Sequence, residues 1–207
     1  MLRFYNVIEN EQFRIGCTGR TVWVFDKNGT VLAKFKDLNY AYQAAISPRG
    51  DLLAVKSGQG WLAFYSLKEL ALVKKFRFSR VNFAQDDGFC FSSDGKYLLN
   101  IERHGDDLHS AISVYDTADL SLASRVLQGE AMMIEHIRAL DGRYYVLGFL
   151  RGDDLTIRSH CVAKYENGRV CDVFEITEAE YDFCIDALEA SSACALENLW
   201  REHHDKA

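Results

Sequence analysis

The sequence lacks any block of basic residues and any long apolar stretch. Its 24 Lys and Arg residues are spread along the 207-residue chain, whereas proteins that neutralise nucleic-acid phosphates cluster them. No window approaches the roughly 18 apolar residues of a membrane span, and residues 1–16 hold no apolar core of a signal peptide. We therefore expect a cytoplasmic protein with neither a nucleic acid nor a membrane as its direct partner.

The spacing of the six cysteines predicts neither disulfide pairs nor a metal site. There is no C-x-x-C pair and no histidine at zinc-finger spacing. A tight turn at Asn167 and Gly168 would place Cys161 opposite Phe174, so that no cysteines oppose each other there. Free, mostly buried thiols in a reducing compartment are expected, with no metal.

Catalytic motifs are absent as well. The stretch from Gly88 to Lys96 is not a phosphate-binding loop, because Cys90 stands where the first glycine is required and Tyr97 stands where Ser or Thr is required. Residues 58–60 are too short for a dinucleotide fingerprint. Neither a G-x-S-x-G elbow nor an H-E-x-x-H helix occurs. The sequence therefore predicts no cofactor and nominates no nucleophile.

The composition that remains is that of a folded, aromatic-rich chain. It is 48% apolar, 26% charged and 13% aromatic, with a formal net charge of −6, so disorder is excluded. An acidic surface attracts a basic protein partner, although ordinary solubility also accounts for a modest negative charge.

Two sequence markers recur at nearly constant spacing. Turn glycines at Gly50, Gly95 and Gly142 are 45 and 47 residues apart, and each is followed by an apolar run. A second marker is a strand that ends in an aromatic residue. The four aromatics are Phe25, Tyr65, Tyr115 and Tyr165, spaced 40, 50 and 50 residues apart. Units of 40–50 residues with three or four short strands are typical of propeller blades, which must stack to bury their faces.

Residues 92–98 and the strand end at 114–116 resemble blades of the bacterial YVTN-type and tryptophan-aspartate-repeat propellers. The resemblance covers roughly residues 5–176 and implies an all-β, propeller-like stack of about four antiparallel blades. Departures are the missing Gly-His dipeptide, Tyr or Phe where the family has Trp, and four units where seven are usual. The units would form a four-bladed ring, half of an eight-bladed ring completed by a second copy in a homodimer, or an open stack.

An amphipathic helical tail is predicted for residues 177–207, after the blade repeats of residues 1–176. Thr177 and Glu180 form a capping box, and apolar residues then recur at helical spacing, with a break near Ser191 and Ser192. The helix would cover a blade edge or the ring mouth; docking of a partner or dimerisation is the alternative.

Charged loops at one end of the blades form the candidate binding face. Residues 103–108 and 151–155 are near copies, each with Gly-Asp-Asp, and in a propeller they would share a face with loops 18–20 and 57–60. That face would also carry Lys56. The predicted partner-binding residues are Arg20, Arg103, Asp106, Asp107, His109, Arg151, Asp153 and Asp154. Alternatively, the aspartates only form turns or hold a hard cation.

A non-catalytic protein–protein interaction module is the function that these features favour. One alternative is an immunity or antitoxin-like protein that neutralises a basic bacterial toxin. A second is an enzyme whose site is assembled from separate blade loops, with Asp106, Asp107, Asp153, Asp154 and His109 as candidates. A third is a subunit of a larger assembly that docks through its C-terminal helix.

Overall fold

In the part of the chain that the structure describes, four antiparallel sheets of four strands are followed by two helices. The computed structural model describes residues 3–78, 88–104, 109–127, 132–151, 157–166, 169–190 and 192–205. The chain divides into two units: residues 1–85 with the turns 94–96 and 117–120, and residues 86–93, 97–116 and 121–207. The predicted class, all-β with propeller-like blades and a helical C-terminal segment, is confirmed.

The first unit contains two sheets whose strands pair in sequence order. The strands of the first sheet are β1 (Asn6–Glu9), β2 (Phe13–Cys17), β3 (Val22–Asp26) and β4 (Val31–Phe35). Those of the second sheet are β5 (Ala41–Ile46), β6 (Leu52–Ser57), β7 (Trp61–Ser66) and β8 (Ala71–Arg77). One apolar core joins both sheets: Ile15, Val24 and Val55 are buried in it, and the ring of Phe35 stacks on that of Tyr65 with centroids 4.1 Å apart.

The second unit contains the other two sheets and the helices. The strands of the third sheet are β9 (Phe89–Phe91), β10 (Tyr97–His104), β11 (His109–Asp116) and β12 (Leu122–Val126). Those of the fourth sheet are β13 (Met132–Leu140), β14 (Arg143–Arg151), β15 (Ile157–Glu166) and β16 (Arg169–Ile176), followed by α1 (Glu178–Glu189) and α2 (Ala193–His204). Ile101, Ile112, Ile134 and Val146 fill the core between these two sheets.

The turn glycines of the repeat have the positive φ that the sequence predicts. The φ angles of Gly50, Gly95 and Gly142 are 73°, 70° and 75°, a region that an L side chain resists. Two serines of the same motif have a matching role: the hydroxyls of Ser47 and Ser92 accept hydrogen bonds from backbone N–H groups five residues later, at 3.0 and 2.9 Å. The sequence repeat therefore reflects turns that share the same glycine conformation and, in two of the three copies, the same serine hydrogen bond.

The recurring aromatics each sit at a β-bulge. In every sheet the register between the third and fourth strands shifts directly before the aromatic residue, at Phe25, Tyr65, Tyr115 and Tyr165. Each bulge adds one unpaired residue to the fourth strand and bends that strand. The expected pairing of Cys161 with Phe174 is therefore wrong: the bulge moves the register by one residue, and Cys161 lies opposite Glu175.

The C-terminal segment begins with the predicted capping box and breaks into two helices where predicted. Thr177 accepts from the Glu180 backbone while the Glu180 side chain accepts from that of Thr177. Apolar side chains of both helices pack on one face of the fourth sheet, where Leu188 and Trp200 meet Tyr145 and its neighbours. Within the described ranges, no helix combines the length and apolar character needed to cross a bilayer.

Candidate functional site

The residues predicted to bind a partner fall in both units. Arg20 is exposed in the β2–β3 loop of the first unit. Arg103 lies half-buried near the end of β10, His109 begins β11 and Arg151 ends β14 in the second unit. The four aspartates lie outside the described residues: Asp106, Asp107, Asp153 and Asp154. A shared face for these residues therefore stays a prediction.

Lys56 does not belong to an exposed face. Its side chain, in β6, is fully buried, and its ammonium group lies 5.1 Å from the centroid of the Phe78 ring. The sequence pattern predicts Lys56 on the charged face because it adjoins Ser57 and Gly58, and this prediction is wrong. Its position within the strand makes it a packed side chain instead, with its charge facing an aromatic ring.

A half-open cavity of about 830 Å³ lies in the first unit. Two of the loops expected on one face meet there, since Thr18, Gly19 and Arg20 from one loop and Gly58 from the other line it. The remaining lining residues come from the N-terminal segment and from the chain that enters β5: Tyr5, Asn39, Tyr40, Ala41 and Tyr42. We call this cavity, with its three tyrosines, the tyrosine cavity.

Tyr40 holds a backbone conformation that a bulky residue rarely adopts. Its φ is +56°, in the left-handed region where a non-glycine residue costs about 1–3 kcal/mol. Three backbone hydrogen bonds hold it in place: Gly58 donates to the Tyr40 carbonyl at 3.0 Å, and Gly19 and Ala41 exchange bonds at 3.1 and 2.9 Å. The fold thus maintains a strained conformation at the cavity wall.

Two large aromatic rings remain exposed at this cavity. Tyr5 is 72% exposed and Tyr40 is 57% exposed. Tyr5 lies over the backbone of Gly19, where a Cβ atom would come within 3.2 Å of Cε2 of the Tyr5 ring. Among the described residues that line the cavity, Arg20 alone carries a charge. Exposed aromatic rings beside a cation are typical of recognition surfaces.

The tyrosine cavity offers binding chemistry and little acid–base chemistry. Its described lining residues include no carboxylate, histidine or cysteine, which are the usual acids, bases and nucleophiles. The Thr18 hydroxyl donates to the Thr21 carbonyl at 3.0 Å. The arrangement therefore suits the binding of an aromatic or apolar group next to an anion.

Charge is divided unequally between the two units. The first unit has 14 Lys and Arg against 8 Asp and Glu, a net charge of +6. The second has 10 against 22, a net charge of −12. The overall value of −6 hides this asymmetry, and the tyrosine cavity lies in the basic unit.

A buried polar cluster in the third sheet is a separate feature. Asn100, Glu102 and Ser113 are fully buried, and Glu102 accepts hydrogen bonds from Tyr115 at 2.5 Å and from Asn100 at 3.2 Å. Burial, then the nearby Glu102 carboxylate, raises the pKa of Tyr115 well above its usual range. Because these groups are closed off from solvent, the cluster specifies packing within the sheet.

Sequence reasoning missed the tyrosines of the cavity. Tyr5 precedes β1, and Tyr40 and Tyr42 flank the start of β5, so they meet only because the first two sheets pack together. The excess of Lys and Arg in the first part of the chain is visible in the sequence, and it indicates the basic unit in which the cavity lies.

Comparison with known proteins supports the fold alone. No protein-family model matches the sequence, and no curated protein does. Similar solved structures are hydrazine synthase of Kuenenia stuttgartiensis (TM-score 0.68, 15% identity), dihydro-heme d1 dehydrogenase NirN (0.58, 21%) and a eukaryotic initiation factor (0.55, 13%). The first two are β-propeller proteins.

The match spans most of this chain and half or less of each neighbour. It covers 86%, 83% and 84% of this chain but 50%, 36% and 44% of the three neighbouring chains. Proteins named as enzymes and a protein named as an initiation factor therefore share this architecture. Because one fold hosts unrelated functions, function must be argued from the site.

Proposed function

We propose that this protein is a non-catalytic protein-interaction module and that it binds its partner through the tyrosine cavity. The sheets supply a rigid support, and the segments 18–20, 39–42 and 57–60 present the binding groups. The chemistry of the lining supports this role, since tyrosine and arginine are enriched among the residues that dominate binding energy.

The observation that carries the proposal is an exposed tyrosine on a strained backbone. Leu70, Leu120 and Leu127 share the positive φ of Tyr40, but their side chains are buried or half-buried, whereas Tyr40 is 57% exposed. A tyrosine at φ +56° costs stability that asparagine or glycine would not. A backbone fixed before binding leaves only the side-chain torsions of Tyr40 to be ordered, which lowers the entropy lost in the complex. Recognition by a ring on a preset backbone therefore gives a physical reason for tyrosine at this position.

The neighbouring groups complete a surface suited to a polypeptide. Tyr5 and Tyr42 supply further flat rings with hydroxyl groups at their edges, which bind apolar and polar groups at low entropic cost. Asn39 adds an exposed side-chain amide, and the backbone carbonyl of Asn39 accepts a 2.5 Å hydrogen bond from the Ser57 hydroxyl. This lining offers both apolar contact and hydrogen bonding to a peptide backbone.

The variant Tyr40→Gly tests the proposal without endangering the fold. Glycine accepts positive φ, so the variant should melt at or above the parent temperature. Loss of a central ring should weaken partner binding about 10-fold or more. The measurement is quantitative capture of partner proteins from the source cells on the immobilised protein, followed by titration of the captured protein.

Tyr97→Ala is the matched control, because Tyr97 is a 40% exposed tyrosine in the second unit. It should capture the partner as the parent does. Equal capture by folded Tyr40→Gly and parent would contradict the proposal.

The acidic second unit favours one other candidate, an immunity-like protein that neutralises a basic toxin. Its net charge of −12 would steer a basic partner and speed association. The same capture experiment separates this candidate from binding through the tyrosine cavity. The immunity-like role is favoured if the Tyr40→Gly variant captures a basic protein as well as the parent does and salt releases that protein.

A further inference from the structure

We propose that the occupant of the tyrosine cavity is an extended acidic segment of a partner protein, with one carboxylate paired to Arg20. This inference rests on the proposed function and names the chemistry of its partner. It differs from the expectation drawn from the net charge of the whole chain, which favoured a basic partner.

The first step is the charge at the cavity itself. Arg20 is exposed and lines the cavity, and the other described lining residues are uncharged. A guanidinium group binds a carboxylate through two parallel hydrogen bonds, which makes it selective for planar anions. A basic segment would instead place its cations beside Arg20 with no carboxylate among the described lining residues.

The second step is the charge of the unit that contains the cavity. The unit that contains it has a net charge of +6. Exposed cations extend over its outer strands and the residue after β4: Lys34, Lys36, Lys74, Lys75 and Arg77. The summed charge of the unit speeds the encounter with an acidic segment, and each exposed charge acts over about one Debye length, roughly 8 Å at physiological salt. The local pair with Arg20 and the field of the unit therefore favour the same sign of ligand.

The third step is the apolar part of the ligand. Tyr5 and Tyr40 expose their rings on the same cavity as Arg20, so the segment must present apolar side chains as well as acids. In an extended chain, residues two apart lie on the same face. A segment with an acidic and an apolar residue two positions apart therefore presents both to the lining groups.

The test measures the affinity of three fluorescent octapeptides by fluorescence anisotropy at about 150 mM salt. The three peptides have the same apolar residues and carry Glu, Gln or Lys at the remaining positions. We expect the Glu peptide to bind at least 10-fold more tightly than the Lys peptide. Arg20→Ala should weaken the Glu peptide about 10-fold, the effect of one charge-assisted pair.

Arg49→Ala is the control that separates a contact from a field. It removes the same charge from the same unit at a side chain that is 63% exposed and lies 3.5 Å from Asp51, outside the cavity. We expect less than about a 2-fold loss from this variant. Equal losses from Arg20→Ala and Arg49→Ala would overturn the pairing with Arg20.

Other outcomes separate this inference from the function on which it rests. If the Gln or Lys peptide binds best and Tyr40→Gly abolishes that binding, the acidic occupant is wrong and the proposed function stands. If Tyr40→Gly binds every peptide as tightly as the parent does, both the acidic occupant and the proposed function are wrong. Sedimentation of the protein alone provides the remaining arm: self-association that Arg20→Ala abolishes would make a second copy the occupant and overturn the inference.

Discussion

Leu188→Asp should destabilise the second unit by about 3–5 kcal/mol, because it places an uncompensated charge in an apolar contact. Leu188 in α1 is 4% exposed and lies among Tyr145, Leu147 and the apolar residues of α2. Trp200 extends the same cluster, with its ring edge-to-face on Phe174 at 4.7 Å between centroids. Urea unfolding followed by circular dichroism measures the loss.

Phe183→Asp is the matched control on the same helix. Phe183 is 45% exposed, so the variant adds the same charge to α1 and also removes an apolar residue. We expect its unfolding free energy to change by less than about 1 kcal/mol. Equal stability of parent and Leu188→Asp would show that the helices contribute nothing to the folded state of this unit.

Gly148→Ala should cost about 3 kcal/mol, although it adds a single methyl group. Gly148 in β14 lies opposite Ile134, at a bulge in the pairing of β13 and β14. A Cβ atom there would overlap the Met133 carbonyl oxygen and approach the Ile134 Cα to 3.0 Å. Backbone atoms of a paired strand cannot move aside as a flexible side chain can, so the strands must separate.

Gly58→Ala tests whether alanine for glycine is harmful in itself. A Cβ at Gly58 meets its nearest atoms, in Tyr40 and Tyr42, at 3.8 Å, which is ordinary contact distance. That variant should be neutral or slightly stabilising, because alanine restricts the unfolded chain. Unfolding curves that coincide for parent and Gly148→Ala would contradict the close approach of the two strands.

The blade architecture was predictable because its signals are local. A few consecutive residues determine each of these signals. The signals are a glycine with positive φ, a serine hydroxyl that accepts from the backbone N–H five residues later, and an aromatic residue at the end of a strand. The capping box of Thr177 and Glu180 is local in the same way. Repetition of these local signals along the chain then indicated how many sheets would form.

The site was less predictable because it depends on packing between distant segments. Tyr5 and Tyr40 share a cavity only after β1 and β5 pack together. The register shift that places Cys161 opposite Glu175 depends on a bulge, and a register counted outward from the turn residues alone leaves that extra residue out. Lys56 looked like a loop cation since its charge is visible in the sequence, whereas its burial is set by the strand that contains it.

Hydrogen–deuterium exchange of the protein, free and bound to the captured partner, tests the central claim most directly. Binding in the tyrosine cavity should slow exchange of the backbone amides in residues 18–20, 39–42 and 57–60, with little change in α1 and α2. Tyr40→Gly, at matched partner concentration, should lose most of that protection. Protection confined to the second unit, with the three cavity segments unchanged, would contradict the account.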